Sequence, residues 1–515
     1  MSNKNNSNIG STKSMEGKSV GNETKNNKLI KSKEEKNMTK KTINTTIKSK
    51  EDKSMTKKTT TTPATRESLR VFAKNCMRSE DTMKTRINNN VLVIGNPGCS
   101  KTGSYVTPNI YSTTGSIVIA DTKGLLYRNH ADALRRRGYN VHLLDFVHPE
   151  NSEPFNILDS VQRKKKTIHR VISPGEWDED GNVLLEEEVM DIEIESYRQQ
   201  DLMKIAKLLI PDDVSPRDRF WVDGARLVLT SLMAYALEEL PREEQHMGSV
   251  ADLFRQMNID MMTTGTVSFF NELEATDPDS YAVKKYKLFC QTFKAEKCWV
   301  SMAQFVANAL DLFDNEENAK MLCRPGLDLA QIGRERSALF INLSDSDRSQ
   351  DYIVNAFYTQ LFQKLMAEAD CNNCGRLKFP VHLILDDFAA NVYIPDFDKI
   401  LSVIRSRDIS ASIILQSISQ LKGMYNEGQA STIINGCDTM LYMGGTDSDT
   451  AAFFADKAGK LKETILALDL DHAWLFTRGE KGRIVEKIPP YSISEKDFEA
   501  PGTNGLNSII QNDKI

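Results

Sequence analysis

The sequence predicts an α/β protein with a mainly parallel sheet, helices on both of its faces, an all-helical insertion and a disordered N-terminal tail. Three observations predict it. Short apolar runs at 91–95, 116–121 and 140–146 are interleaved with helical stretches, the pattern of parallel strands covered on both sides. That alternation stops near residue 162 and resumes near 336. Ahead of residue 69 the chain is crowded with Lys, Asn, Ser and Thr and has no aromatic residue.

The tail, residues 1–68, holds 16 Lys+Arg against 7 Asp+Glu, a net charge of +9. The whole chain is −5, so the remainder carries −14. A segment with so little to bury cannot offset its ordering entropy, and disorder is expected. One duplication lies inside it: KSKEEKNMTKKT at 31–42 returns as KSKEDKSMTKKT at 48–59. Two copies do not make a solenoid. Such a basic arm suits nucleic acid, an anionic lipid surface, or plain solvation.

The body reads as follows. Strand 116–121 is followed by a helix over 128–138 that ends at glycine, then by strand 140–146. Residues 162–335 form the inserted all-α domain; its firmest helix is 220–237, apolar at 3.6-residue spacing, and 291–313 is another. Strand 337–343, helix 352–369, strand 381–387, helix 397–406 and strands 410–416 and 439–444 then complete the sheet. The nucleotide-type domain is thus split into 69–161 and 336–500, with a flexible C-terminal tail at 501–515.

Composition narrows the classes. With 40% hydrophobic and 27% charged residues the 515-residue chain is globular, and no stretch approaches the roughly 18 uninterrupted apolar residues of a membrane span. The lysine- and asparagine-rich start lacks the apolar core of a secretory signal. Cytosolic residence is expected unless a partner recruits the chain to a membrane. Eight cysteines suit a reducing compartment. Cys371-Asn-Asn-Cys374 has metal-knuckle spacing, but no second pair completes it, and a polar loop is the expectation.

The chemistry begins where the first strand ends: Gly95-Asn-Pro-Gly98-Cys99-Ser100-Lys101-Thr102. This is a phosphate-binding loop in outline, with Ser100 where the pattern has glycine. Pro97 has no N–H, but Gly98, Cys99, Ser100, Lys101 and Thr102 can aim theirs at a β-phosphate from a helix N-terminus. Lys101 would reach the β- and γ-phosphates and the Thr102 hydroxyl would ligate Mg²⁺. An ordinary strand–turn–helix junction is the competing reading.

Downstream, the apolar run 383–385 delivers Asp386 and Asp387 to a strand end. In P-loop enzymes the first acid orients the Mg²⁺ shell, partly through water, and the second polarises the attacking water. Alternatively the two acids cap a turn. Asp387 is one methylene shorter than the Glu common there. Gln416 ends another apolar strand, where an amide can sense the γ-phosphate. Arg405 and Arg407 leave a helix just before that strand. Each is either an arginine finger aimed at a neighbour's nucleotide or a surface cation paired with a nearby acid.

Four stretches in order make the chain similar to the type IV secretion coupling proteins, the conjugative DNA-transfer ATPases of the TraG/TraD type. They are residues 90–102, Val106-Thr-Pro-Asn-Ile110, Ile119-Ala-Asp-Thr-Lys-Gly124, and Leu385-Asp-Asp-Phe-Ala-Ala390 through Ile414-Leu-Gln-Ser417. Pro154-Phe-Asn156, Arg217-Asp-Arg-Phe-Trp221 and residues 433–439 add to it, and the likeness spans roughly 75–490. It implies a RecA-like P-loop NTPase fold with an inserted helical domain, ATP and Mg²⁺ as ligands, and a homo-hexameric ring with nucleotide between subunits. It implies Lys101 and Thr102 as the Walker A pair, Asp386 and Asp387 as the Walker B pair, Arg405 as the finger and Gln416 as the sensor. Its partners would be single-stranded DNA without sequence preference, a relaxase complex recognised by the helical insert, and channel proteins. The family's N-terminal transmembrane helices have no counterpart here. Attachment to the inner face of the plasma membrane would then fall to a partner protein or to the basic tail.

Three function classes follow. The first is an ATP-driven DNA-transfer motor, gripping phosphates. The second is a non-hydrolysing or weakly hydrolysing adaptor that docks cargo protein, favoured by Ser100, by Asp387 and by Asp121-Thr-Lys-Gly124 in place of Asp-Pro-Lys-Gly. The third is a double-stranded DNA pump of the chromosome-segregation or genome-packaging type.

Overall fold

The computed structural model describes residues 68–492, apart from 174–175, 178–182, 186–187, 213–218, 293–295, 392 and 491. The expected tail (all but Ser68), the end of the second half-domain at 493–500 and the C-terminal 501–515 lie outside the described residues.

Seven parallel strands form the framework: β1 (Val91–Ile94), β2 (Ser116–Asp121), β3 (Asn140–Asp145), β4 (Ser337–Asn342), β5 (Val381–Leu385), β6 (Ile409–Leu415) and β7 (Thr439–Tyr442). Two further strands, β8 (His472–Thr477) and β9 (Arg483–Glu486), extend one side antiparallel. The order is β9-β8-β7-β1-β6-β5-β2-β4-β3. Strands before and after the insertion therefore interleave: β1 lies between β7 and β6, and β2 between β5 and β4.

The central strands are mostly apolar because both of their faces are covered, with His382 of β5 and Ser410 and Ser412 of β6 as polar residues within them. Leu92 and Ile94 of β1, with Val118 and Ala120 of β2, enter one core, which the inserted helices also fill. Val91, Val93, Ile117 and Ile119 enter the other, against the helix after the phosphate loop and an N-terminal hairpin, Leu69–Ala73 with Cys76–Ser79. This period of two is what a strand buried on both sides requires.

The helices that matter here are α1 (Thr107–Ser112), reached through a π-helical turn at Thr102–Val106, α2 (Leu125–Arg136), α3 (Arg219–Glu239) and α4 (Asp351–Cys371). Among the described residues α3 alone is long and apolar enough to cross a membrane, and 67% of its apolar window is buried against neighbouring helices. The helix expected over 291–313 is Glu296–Asp314, with 291–292 closing the preceding helix Tyr281–Thr292. The one expected over 397–406 stops at Phe397–Val403 and tightens into a 3₁₀ turn, Ile404–Arg407.

The insertion corrects the expectation of an all-α domain. It opens with a two-stranded antiparallel ribbon, Arg163–Ser173 against Glu188–Tyr197, and becomes helical from Gln199. The physical reason lies in the charge. The first strand opens on four basic residues, 163–166, and the second intersperses acids with its apolar residues, so neither shows the unbroken apolar run of the buried strands; Lys165 pairs across the ribbon with Glu193 at 3.0 Å. The hairpin before β1 and the β8–β9 pair were likewise not anticipated.

Candidate nucleotide-binding cleft

Parallel strands point all their C-terminal ends one way, and their loops gather there. Ile94 of β1 pairs with Leu415 of β6, and Leu385 of β5 pairs with Ile413 and Ala120. The residues that follow, Gly95, Gln416, Asp386 and Asp121, therefore leave the same edge.

The phosphate loop is pinned from two sides. Gly95 N–H donates to the Leu415 carbonyl at 3.1 Å, and Asn96 N–H to the Gly444 carbonyl at 3.0 Å. A Cβ on Gly95 would lie 3.1 Å from Met443 Cβ and 3.2 Å from Cys99 Cβ, so a larger residue would have to push these neighbours back by a few tenths of an ångström. Ser100 has φ of +63°, the left-handed conformation that glycine takes without penalty. The substitution is thus accommodated in the loop's geometry rather than by reshaping it. Of the expected backbone donors, Cys99 N–H is turned back onto the Asn96 carbonyl at 3.1 Å.

Lys101 is buried and folds over the loop, its ammonium donating to the carbonyls of Gly95 at 2.7 Å and Asn96 at 3.3 Å. Next to it, Thr102 Oγ1 donates to Asp386 Oδ2 at 2.7 Å. Burial raises the Asp386 carboxyl to about 6; the Thr102 hydroxyl opposes that shift, Asp387 adds to it and Lys101 counters it. Asp387 follows with φ of +46°, its N–H on Asp386 Oδ1 at 3.1 Å.

A cleft of about 500 Å³ opens over this edge. Gly98, Ser100, Lys101, Thr102, Asp387 and Gln416 line it. Pro97 and Gly103, next to the loop's site residues, line it too. Four lining residues come from elsewhere without being expected as site residues: Thr122, Lys123, Asp345 and Pro490. The first two carried a signal, since they sit in the Asp-Thr-Lys-Gly run that ends β2. Asp121 beneath them accepts from Tyr127 N–H at 2.8 Å at the start of α2, and burial raises its carboxyl. Arg128 clamps the loop from outside through the carbonyls of Lys123 at 2.8 Å and Gly124 at 3.0 Å.

Arg405 is not brought to this cleft. It is exposed at the opposite edge of the sheet, before β6 begins, and lines a different cleft of about 310 Å³ with Glu80, Arg376 and Asp408. Arg407 is occupied by a two-pronged pair with Asp370, at 2.8 and 3.0 Å. Between the two edges runs a buried polar chain. Tyr105 Oη lies 2.7 Å from Ser412 Oγ, and His382 reaches Ser412 at 2.9 Å and Ser410 at 2.7 Å. Cys371 and Cys374 are exposed at the end of α4, and no set of three metal-binding side chains gathers among the described residues.

The cleft suits a polyphosphate and a divalent cation. A hydroxyl and a carboxylate already in contact can supply two neighbouring oxygens to a small hard cation. The carbonyls that now hold Lys101 are the kind of partner that phosphate oxygens replace.

The fold and this cleft define a P-loop NTPase of RecA-like architecture. Among solved structures the chain is similar to the bacterial conjugative coupling protein TrwBdeltaN70. Its unbound monoclinic form matches with a TM-score of 0.53 at 15% identity, covering 81% of this chain and 88% of that one. Its trigonal form with sulphate matches at 0.51 and 15%, covering 77% and 85%. The plasmid coupling protein TrwB in complex with ADP and Mg²⁺ matches at 0.52 and 15%, covering 79% and 87%. At that identity the likeness establishes the fold. No curated protein sequence matches. The chain belongs to the type IV secretory system conjugative DNA transfer family, whose pattern matches residues 23–465.

Proposed function

We propose that this protein is an ATP-driven motor that couples a relaxase–DNA substrate to a type IV secretion channel. The observation that carries the reading is the contact of Thr102 with Asp386 in a site where Lys101, Asp387 and Gln416 line one cleft. Lys101 holds the β- and γ-phosphates of ATP, and Asp387 orients the attacking water. Gln416 registers the γ-phosphate at the end of β6. Thr102 and Asp386 would hold Mg²⁺, which would supply positive charge to the phosphate oxygens. Arg405, remote from its own cleft, acts on the nucleotide of a neighbouring subunit in a homo-hexamer. Single-stranded DNA is gripped through its phosphates, the helical insert faces the relaxase complex, and the ring works at the inner face of the plasma membrane with a membrane partner.

The test is DNA-stimulated ATP hydrolysis by the full chain against Lys101→Ala. The motor reading expects a rate that the substitution abolishes; equal rates would remove it. The adaptor reading has its own support in the left-handed Ser100 and in the short Asp387. It expects nucleotide binding without turnover in the same assay.

A further inference from the structure

Beyond the phosphate end, the cleft has a wall that the motifs do not supply. Strand β9 is antiparallel to β8, which is antiparallel to β7, which is parallel to β1. The chain therefore leaves β9 at the same edge as the phosphate loop. Residues 487–490 then turn back toward that loop. Lys487 is 7% exposed, and its ammonium donates to the carbonyls of Met443 at 2.8 Å and Leu470 at 2.9 Å. Its own N–H donates to the Asp471 carbonyl at 2.7 Å. Among the described residues no carboxylate lies within ion-pairing distance of it. Ile488 is buried in the core behind the loop, the same core that takes Met443. Met443 in turn donates its N–H to the Ile94 carbonyl at 2.7 Å, and Gly444 accepts from Asn96. One ridge thus holds both the phosphate loop and the C-terminal run. At the end of that run exposed Pro490 lines the cleft with Lys101 and Gln416.

We propose that residues 487–490 build the ribose and base end of the nucleotide cleft, with Pro490 as the contact surface and Lys487 as the positioning residue. This rests on the nucleotide reading above. The polarity of the ligand is dictated by its phosphates. Thr102, Asp386 and Asp387 draw the γ-phosphate end toward β5, so the nucleoside leaves on the other side of the loop, toward β7 and the strands beyond it. There the chain offers a proline: a rigid apolar face without an N–H. It can cover the face of a base or a ribose and cannot read hydrogen-bonding edges, so adenine and guanine are held alike. Lys487 explains why the wall stays in place. A buried ammonium is costly unless hydrogen-bonded, and here it ties together the two backbone segments that flank the run.

The experiment compares Mg–ATP with Mg–tripolyphosphate, which has the phosphates and no nucleoside, by titration calorimetry on the full chain. Pro490→Gly is expected to weaken ATP and GTP about five-fold each, a difference well within what one apolar contact supplies, and to leave tripolyphosphate unchanged. Lys487→Met is expected to show the same selective loss, and Lys487→Arg to restore it. Equal weakening of ATP and tripolyphosphate in Pro490→Gly, or no weakening of either, overturns the proposal. A wild-type chain that binds neither ligand fails differently, since it takes down the nucleotide reading beneath.

Discussion

Thr102 and Asp386 are 284 residues apart in the chain and 2.7 Å apart in space. One closes the phosphate loop before the insertion; the other ends a strand formed after it. Their hydrogen bond joins the hydroxyl and the carboxylate that the proposed function assigns to Mg²⁺, and it is made by elements that meet only once the sheet has closed.

Removing the hydroxyl tests that contact directly. Thr102→Val leaves the buried Asp386 oxygen without its donor and is expected to cost about 1–3 kcal/mol of stability. Nucleotide affinity should also lose its dependence on Mg²⁺. A variant that unfolds in urea like wild type and still responds to Mg²⁺ would show that the contact is incidental.

The acidity of Asp386 sets a pH dependence. Its carboxyl titrates at about 6 in the fold against 3.8 without it. A folded value above the unfolded one gives stability that is complete below about 4 and lost as pH rises through 6. Asp386→Asn should therefore stabilise the nucleotide-free protein at pH 8, on the order of 3 kcal/mol, and hardly at pH 4. Cation binding needs the deprotonated form, so Mg–ATP binding at pH 5.5 should release a proton. Calorimetry in buffers of different ionisation enthalpy reads that proton, and Asp386→Asn should lack it.

Ser100 offers a gain. A non-glycine residue at φ +63° carries a strain of about 1–2 kcal/mol, part of which glycine gives back through the entropy of its unfolded chain. Ser100→Gly is expected to raise the unfolding free energy by up to about 1 kcal/mol, with nucleotide affinity equal or higher. Destabilisation on denaturant unfolding would mean that the serine side chain holds the loop.

The two arginines before β6 should separate cleanly. Arg407→Ala breaks a partly exposed pair with Asp370 and should cost about 0.5–1 kcal/mol with hydrolysis retained. Arg405→Ala should leave stability within about 0.5 kcal/mol and lower hydrolysis only under conditions where subunits assemble. Loss of activity in a strictly monomeric sample of Arg405→Ala would contradict a role toward a neighbour.

Much of the framework could be read from residue order, because a parallel strand buried on both faces is nearly all apolar over a few residues, as at 116–121 and 381–385. The ribbon at 163–197 is harder to read because a basic run, 163–166, opens one strand and acids are interspersed among the apolar residues of the other. Arg483–Glu486 is hard to read for a related reason, being an edge strand with charged, largely exposed residues, whereas His472–Thr477 is apolar and buried at 473–476 and its composition does not hide it. At the cleft, Lys101, Thr102, Asp387 and Gln416 were legible because each ends a strand or opens a helix in a recognisable local setting. Pro490 was not, since nothing around it in sequence says which edge of the sheet it returns to.

The division follows the range of the forces involved. Backbone geometry and side-chain alternation act over a handful of neighbours, so the loop from Gly95 to Thr102 and the strands that carry Asp386 and Gln416 announce themselves locally. Which of Arg405 and Arg407 is tied to Asp370, that Thr102 touches Asp386, and that Lys487 anchors a wall beside the phosphate loop depend on how distant segments pack. Those choices are made by burial and by pairing across the whole sheet, and no short window of residues contains them.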